Sequence, residues 1–268
     1  MSIHKTAIVS KKAKIAQTVE IGPYVVVEDG VNIGKGTKIG ASSFIYTGTT
    51  IGEDCRIYNN VSLGGEPQDL SYKKGTEGFL KVGDRNTFRE YATAHRAAKP
   101  GAATIIGNDN YFMALSHIAH DCNIRNNVVV CNNTLLAGHV EVGDRAFISG
   151  GCVIHQFVRI GSLAMIGGGI RVKQDIPPFM LTQTTDVVDS YNVVGIKRAG
   201  FSQDIKNQIR QAYKIIYTSG LNTTNALKEL EARFDSKEII SVVEFIKASK
   251  RGIAPKNTLG RNQRVGSA

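Results

Sequence analysis

Branched aliphatic residues recur at every sixth position through the first part of the chain: Ile3, Val9, Ile15, Ile21, Val27, Ile33, Ile39, Ile45, Ile51, Ile57 and Leu63. A second run follows, also apolar throughout: Ile106, Phe112, Ile118, Ile124, Val130, Leu136, Val142, Ile148, Ile154, Ile160, Ile166 and Val172. In a chain that is 42% hydrophobic, a frame of this length arises by chance less than about once in ten thousand. The residue after the aliphatic is often small, as at Gly22, Gly34, Gly40, Gly52, Gly107, Ala119, Gly143, Gly161 and Gly167. A period of six belongs to neither a helix nor an ordinary strand. It fits a short strand, a tight turn and another short strand, with three such units closing one triangular coil of 18 residues. Each aliphatic then points inward from one face, and the small residue tolerates the corner. Coils stack at about 4.8 Å, the spacing of paired strands. A sandwich of short strands would space its apolar residues irregularly.

Two stretches break the pattern and predict external loops, at 64–80 and at 95–104. Loops of that length inside a solenoid usually carry function. The repeats stop at Ile176-Pro177-Pro178-Phe179, because proline cannot donate to the ladder. Beyond it the period becomes helical. Ser202 is a candidate N-cap, Ile205, Ile209, Ala212, Tyr213 and Ile216 share one face, and Gly220 is the stop. Residues 223–234 and 236–250 predict two more helices, an appendage that covers the open end of the solenoid or packs on a neighbouring subunit.

Composition narrows the classes. A length of 268 residues suits one large domain, or one with a small appendage. No run of eighteen apolar residues exists, which argues against a transmembrane helix. Met1 to Glu20 lacks the unbroken apolar segment of a signal peptide. Four cysteines (Cys55, Cys122, Cys131, Cys152) form no CxxC pair, which fits a reducing compartment. A cytoplasmic location is expected. The net charge of +10 suits an anionic partner. Part of the excess is local: Lys247, Lys250, Arg251, Lys256, Arg261 and Arg264 lie in a terminal stretch without an acid, whose last dozen residues are expected to fray. Nucleic acid is not expected, since no motif for it appears, Trp is absent, and aromatics do not interleave with lysines.

The coil length of 18 places the histidines. His120, Gly138 and Gln156 align along one edge, with Asp121 and His139 one residue further on. His117 lies on the same coil as His120, and His155 precedes Gln156. Four imidazoles are therefore expected on one patch across three coils. A metal site and a general base both suit such a cluster. For the base, His120 would be oriented by Asp121, and the Gly138 N–H would offer an oxyanion donor. Spacing alone leaves both open.

The segments His117-Ile-Ala-His-Asp-Cys122, Asn132-Asn-Thr-Leu-Leu-Ala-Gly-His139 and His155-Gln-Phe157 resemble those of the acyl-carrier-protein–UDP-N-acetylglucosamine O-acyltransferases. Gln68-Asp-Leu70, Gln174-Asp-Ile-Pro-Pro178, Gly195-Ile-Lys-Arg-Ala-Gly-Phe201 and Ile209 to Tyr217 extend the resemblance to about Gly252. It implies the first step of lipid A synthesis: transfer of an (R)-3-hydroxyacyl chain from acyl carrier protein to the 3-hydroxyl of UDP-N-acetylglucosamine. It implies a homotrimer with sites between neighbouring solenoids, and no cofactor or metal. His120 would be the general base, Asp121 its support, and the Gly138 N–H the oxyanion donor. Asp69, His117, His139, His155 and Gln156 match positions lining the nucleotide-sugar and acyl site. Asn192 and Arg198 match positions near the nucleotide, where a cation suits the diphosphate, and Gly168 matches the position that gates acyl length.

Departures exist. Ser71 stands where the family's first loop carries Lys, with Lys73 and Lys74 following; Val194 replaces a frequent Glu; Asp186 replaces a His of some members; and the connector 184–191 is one residue short. These leave open a 3-amino sugar as acceptor. Lys197, Arg198, Lys206, Arg210 and Lys214 offer a basic flank for acidic acyl carrier protein. The pathway's later N-acyltransferase carries an extra N-terminal domain, for which repeats starting at Ile3 leave no room. A trimeric zinc carbonic anhydrase and a solenoid without catalysis stay open as rivals. The expected fold is mainly β: a left-handed parallel β-helix of hexapeptide repeats over 1–188, then a small C-terminal α-helical domain with a basic tail over 189–268.

Overall fold

The computed structural model describes residues 2–258. Two- to four-residue strands wind into a left-handed parallel β-helix with three flat faces. The first face begins with Ser2–Ile3, the second with Ile8–Val9 and the third with Lys14–Ile15, in sheets of eleven, nine and eight strands. Each strand pairs in register with the one a coil away, as Asn123 with Glu141 and Glu141 with Arg159. The period of six fills the interior. From Ile21 onward every member of both runs is buried, and Phe88 stacks on Phe112 at 4.8 Å. Ile3 remains 39% exposed because, among the described residues, its strand lies at the edge of its sheet. Each inward aliphatic contributes about 1.5–3 kcal/mol by burial.

The small residue after each aliphatic has a different reason from the expected one. At Gly34 an added Cβ would lie 2.6 Å from the Gly52 carbonyl, and at Gly143 2.5 Å from the Ser162 nitrogen. Glycine is needed there so that successive coils can approach. The left-handed corner residue comes two positions later and is often not glycine: Asp121 has φ 60° and His139 φ 62°.

Both loops leave from the corner between the second and third faces. The strand Ser62–Gly65 ends the second face, and Phe79–Val82 resumes on the third; Thr93–His95 and Ala103–Ile106 repeat the arrangement one coil on. The loops proper are thus 66–78 and 96–102, a little shorter than the sequence breaks, because Phe79–Val82 pairs in register with Ala103–Ile106. Arg96, 7% exposed, ties them together, donating to the Gly64 carbonyl, Glu66 and the Tyr72 hydroxyl.

Four helices follow: α1 (Val193–Arg198), α2 (Gln203–Tyr217), α3 (Thr223–Arg233) and α4 (Lys237–Lys247). Ser202 caps α2 through its hydroxyl, and Ile209, Ala212 and Ile215 bury its apolar face. The short α1 escapes the periodicity, since six residues give less than two turns. After α4 the chain returns to the solenoid. Ile253 bridges Asp175, Lys256 bridges Val188, and Ala254 is fully buried in the solenoid core. The expected fraying of the tail, with Arg261 and Arg264, concerns residues outside those described. Among the described residues no helix is long and apolar enough to cross a membrane.

Candidate active site

The corner that emits both loops also carries His120-Asp121, Gly138-His139 and Gln156-Phe157 on successive coils. His120 Nδ1 lies 2.8 Å from Asp121 Oδ2. A carboxylate only accepts, so Nδ1 carries the proton and Nε2 is left as the basic nitrogen. Asp121 is itself fixed. Its Oδ2 accepts the Ala98 N–H from the second loop at 3.0 Å, and its own N–H donates to Thr104 Oγ1 at 2.8 Å. Histidine and carboxylate are mostly covered, with side chains 10% and 9% exposed.

Gly138 sits directly over the ring. A Cβ there would lie 2.7 Å from His120 Nε2 and Cε1, so only glycine lets the base stand at this place. Its carbonyl accepts the Phe157 N–H, as other corner carbonyls support the coil above them. Its N–H has no acceptor among the described residues. The fold supplies no backbone acceptor at this turn position; Ala41, Asn108 and Asn126, which occupy it on other coils, donate instead to the side chains of Asn59, Asn126 and Asp144 one coil on, and Gly138 makes no such bond among the described residues. The corner therefore presents an unpaired donor beside the basic nitrogen.

Asp69, on the first loop, brings Oδ2 to 3.9 Å from His120 Nε2. Ser71 holds the other oxygen twice, through its N–H and its hydroxyl, both at 2.8 Å. These two bonds, with smaller help from His120, keep the Asp69 carboxyl below the usual range. The serine that departs from the family pattern thus orients Asp69. His139 stacks on Phe157 at 4.5 Å, and its Nε2 is 3.9 Å from Asp121 Oδ2. Burial depresses its imidazole, against the pull of Asp121. His117 Nδ1 bonds Thr93 Oγ1 at 2.7 Å, and burial, then His120, depresses it.

Counting by eighteen misses one member of the cluster. His95, 8% exposed, meets the His117 ring edge-on at 4.8 Å. Burial, then His117, pushes it down to about 4. The register that pairs Thr93 with His117 across the inserted loop is the signal that would have found it. His155 and Gln156 are exposed on the coil above, where His155 Nδ1 turns to the Gln156 carbonyl at 3.1 Å. No ring or ion-pair contact joins His155 to the other imidazoles among the described residues.

The remaining expected residues lie on other corners. Gly168 is exposed on the corner between the first and second faces, where an added Cβ would stand 3.4 Å from the Gly150 carbonyl. Asn192 is buried beside the corner between the third and first faces. Its Nδ2 donates to the Leu163 carbonyl and its Oδ1 caps α1 at Gly195. Arg198 ends α1, exposed. One chain therefore does not gather these three around His120. Ligand atoms of His120, Asp121 and His139 lie within 4.8 Å of one another, the one set among the described residues suited to a cation. The Nδ1 of His120 is already bonded to Asp121, so a cation would draw on Nε2.

The six-residue repeat is that of the hexapeptide-repeat transferases, and the His–Asp pair lies on one of its corners. The profile described as bacterial transferase hexapeptide (six repeats) matches residues 12–47 and 30–65. That described as Udp N-acetylglucosamine O-acyltransferase, Domain 2, matches residues 175–254. An acyl-[acyl-carrier-protein]–UDP-N-acetylglucosamine O-acyltransferase of Thermodesulfovibrio yellowstonii is 46% identical over 254 residues, covering 94% of this chain and 98% of that protein. One of Burkholderia orbicola is 46% identical with the same coverage. The solved UDP-N-acetylglucosamine acyltransferase of Bacteroides fragilis is 40% identical with a TM-score of 0.90, over 94% of this chain and 99% of that one. The chain belongs to the acyl-[acyl-carrier-protein]–UDP-N-acetylglucosamine O-acyltransferases, and is an acyltransferase.

Proposed function

We propose that the chain transfers a 3-hydroxyacyl group from its acyl carrier protein thioester to the 3-hydroxyl of UDP-N-acetylglucosamine, the first step of lipid A synthesis, with His120 as general base. The observation that carries this reading is the His120–Asp121 pair with the unpaired Gly138 N–H one coil above. His120 Nε2 takes the proton of the sugar hydroxyl as its oxygen attacks the thioester carbonyl. Asp121 compensates the imidazolium that forms. The Gly138 N–H donates to the oxyanion of the tetrahedral intermediate. The intermediate collapses, the carbon–sulfur bond breaks, and His120 returns the proton to the departing thiolate. No cofactor enters this sequence. Asp69, His117 and His139 line the acceptor, with His155 and Gln156 at its upper rim.

The active assembly is a homotrimer. Exposed apolar residues follow the first corner and the second face: Tyr91, Leu115, Leu135 and Val153 are each 43–56% exposed. That surface ends at the catalytic corner, so a copy packed on it places the site at the junction. Asn192, Arg198 and Gly168 then reach it from another subunit. A location in the cytoplasm, where acyl carrier protein is found, follows from this reading.

The test is acyl transfer to UDP-N-acetylglucosamine from 3-hydroxyacyl carrier proteins of graded length, with wild type, His120→Ala and a chelator control. Transfer indifferent to chelator and lowered about a hundredfold or more in the variant supports the reading. Wild-type activity in His120→Ala refutes the base. Transfer only to the 3-amino sugar changes the acceptor. Activity lost to chelator revives the cation at His120, Asp121 and His139.

A further inference from the structure

The first loop brings Asp69 to 3.9 Å from His120 Nε2, yet its own bonds only fold it on itself. The Tyr72 N–H donates to the Asp69 carbonyl at 3.0 Å, Ser71 holds the Asp69 carboxylate, and the Tyr72 hydroxyl donates to the Thr76 carbonyl at 3.3 Å. Residues 66–76 make two hydrogen bonds beyond the loop among the described residues, and both come from one side chain. Arg96 Nη2 donates to Glu66 Oε1 at 3.3 Å and to the Tyr72 hydroxyl at 3.2 Å. Its Nη1 donates to the Gly64 carbonyl at 3.1 Å, where the chain leaves the second face.

No other Lys or Arg is buried among the described residues. A buried guanidinium needs acceptors for its donors, and its planar fork serves three of them at fixed angles, which a single ammonium does not. The backbone of Arg96 belongs to the frame that carries the base. Its N–H donates to the Gly65 carbonyl at 3.1 Å. Two residues on, the Ala98 N–H holds Asp121, and Asp121 holds His120. The spacing between loop and base is therefore set from both sides at this one segment.

We propose that Arg96 is a positioning residue for the acceptor, holding the first loop through Glu66 and Tyr72 so that Asp69 faces His120 across the cavity between the loops. That cavity, of about 350 Å³, is lined by Asp69, Tyr72, Ala98 and Asp121, and Arg96 stands behind its wall. The proposal rests on the reading that Asp69 lines the acceptor and adds what places it. Without the anchor only a fraction of molecules holds the loop in the binding arrangement, and apparent affinity for the sugar nucleotide falls by that fraction. The His120–Asp121 bond and the Gly138 N–H are untouched, so turnover of bound acceptor persists.

The experiment measures kcat and the KM for each substrate in wild type, Arg96→Lys, Tyr72→Phe and Asp69→Asn, and in Tyr72→Phe/Asp69→Asn. Arg96→Lys and Tyr72→Phe should each raise the sugar-nucleotide KM about tenfold, the scale of a hydrogen bond from a charged donor. Their kcat and their KM for the acyl donor should stay within about twofold. In the Asp69→Asn background Tyr72→Phe should add little, because the anchor acts through that carboxylate; a general structural fault would add its full effect there. An unmoved sugar-nucleotide KM in both single variants overturns the proposal. So does an equal fall in kcat, or full additivity with Asp69→Asn. Tyr72 is half-buried on the loop, so its variant decides if Arg96→Lys fails to fold. Tryptic cleavage after the exposed Lys73 and Lys74 tests the anchor without any substrate. If wild type transfers to no acceptor, the reaction reading has failed, and cleavage decides alone: faster nicking in the two variants than in wild type supports the anchor, and equal nicking overturns it.

Discussion

Gly138→Ala tests the corner with one methyl group. The backbone at 138 is not in the left-handed region, so alanine can adopt it without strain. The obstacle is the base. The new Cβ would lie 2.7 Å from His120 Nε2 and Cε1, where ordinary contact begins at 3.4 Å. The ring must retreat by at least that difference. It cannot do so freely, because Nδ1 is held by Asp121 at 2.8 Å, and Asp121 is held by Ala98 and Thr104. Either the His–Asp bond lengthens or Nε2 swings from its place beside the 138 N–H. A misplacement approaching 1 Å in a reacting group lowers turnover about a hundredfold. The peptide N–H survives the substitution, so the loss reports the base's position and not a missing donor. The assay is steady-state acyl transfer, with thermal melting as control. We expect kcat to fall about a hundredfold, KM for the sugar nucleotide to change little, and melting to shift by a few degrees at most. A Gly138→Ala enzyme with wild-type kcat would refute the reasoning, for it would show that the ring can move without consequence.

Two further outcomes follow from other parts of the structure. His95 is buried and pushed down to about 4 from 6.5, so the unfolded chain binds its proton first as pH falls. Its contribution to stability is complete above about 6.5 and is lost progressively toward about 4. Melting temperature should therefore fall over that window, less steeply in His95→Gln; parallel slopes would remove His95 as a source. Gly168 is exposed and an added Cβ meets nothing nearer than the Gly150 carbonyl at 3.4 Å, so Gly168→Met should leave melting unchanged while shifting donor preference to shorter chains by several carbons. An unaltered length profile across the donor panel would separate this corner from the acyl chain.

The six-residue period determined the solenoid, because it is a local constraint that repeats. Once three units close a coil, the in-register pairing leaves no freedom, and residues 18 apart must stack. His120 under Gly138 and Asp121 under His139 were legible for that reason, and Ser202 and the α2 face were legible from helical spacing. What lies outside the period was decided by tertiary contacts. The loop 66–78 could not be placed from sequence, since Arg96, some thirty residues on, fixes it by reaching Gly64, Glu66 and Tyr72. Only that placement brings Asp69 to the basic nitrogen and shows Ser71 to be its support. His95 joined His117 through a register that the insertion hid. The return of Ile253 and Ala254 to the solenoid carries no pattern at all. It rests on Asp175, which accepts from Arg159 and Ser249 while its backbone pairs with the returning strand. A repeating sequence specifies its neighbours by counting; a loop or tail finds its place only when the folded surface supplies partners for its charges and backbone groups.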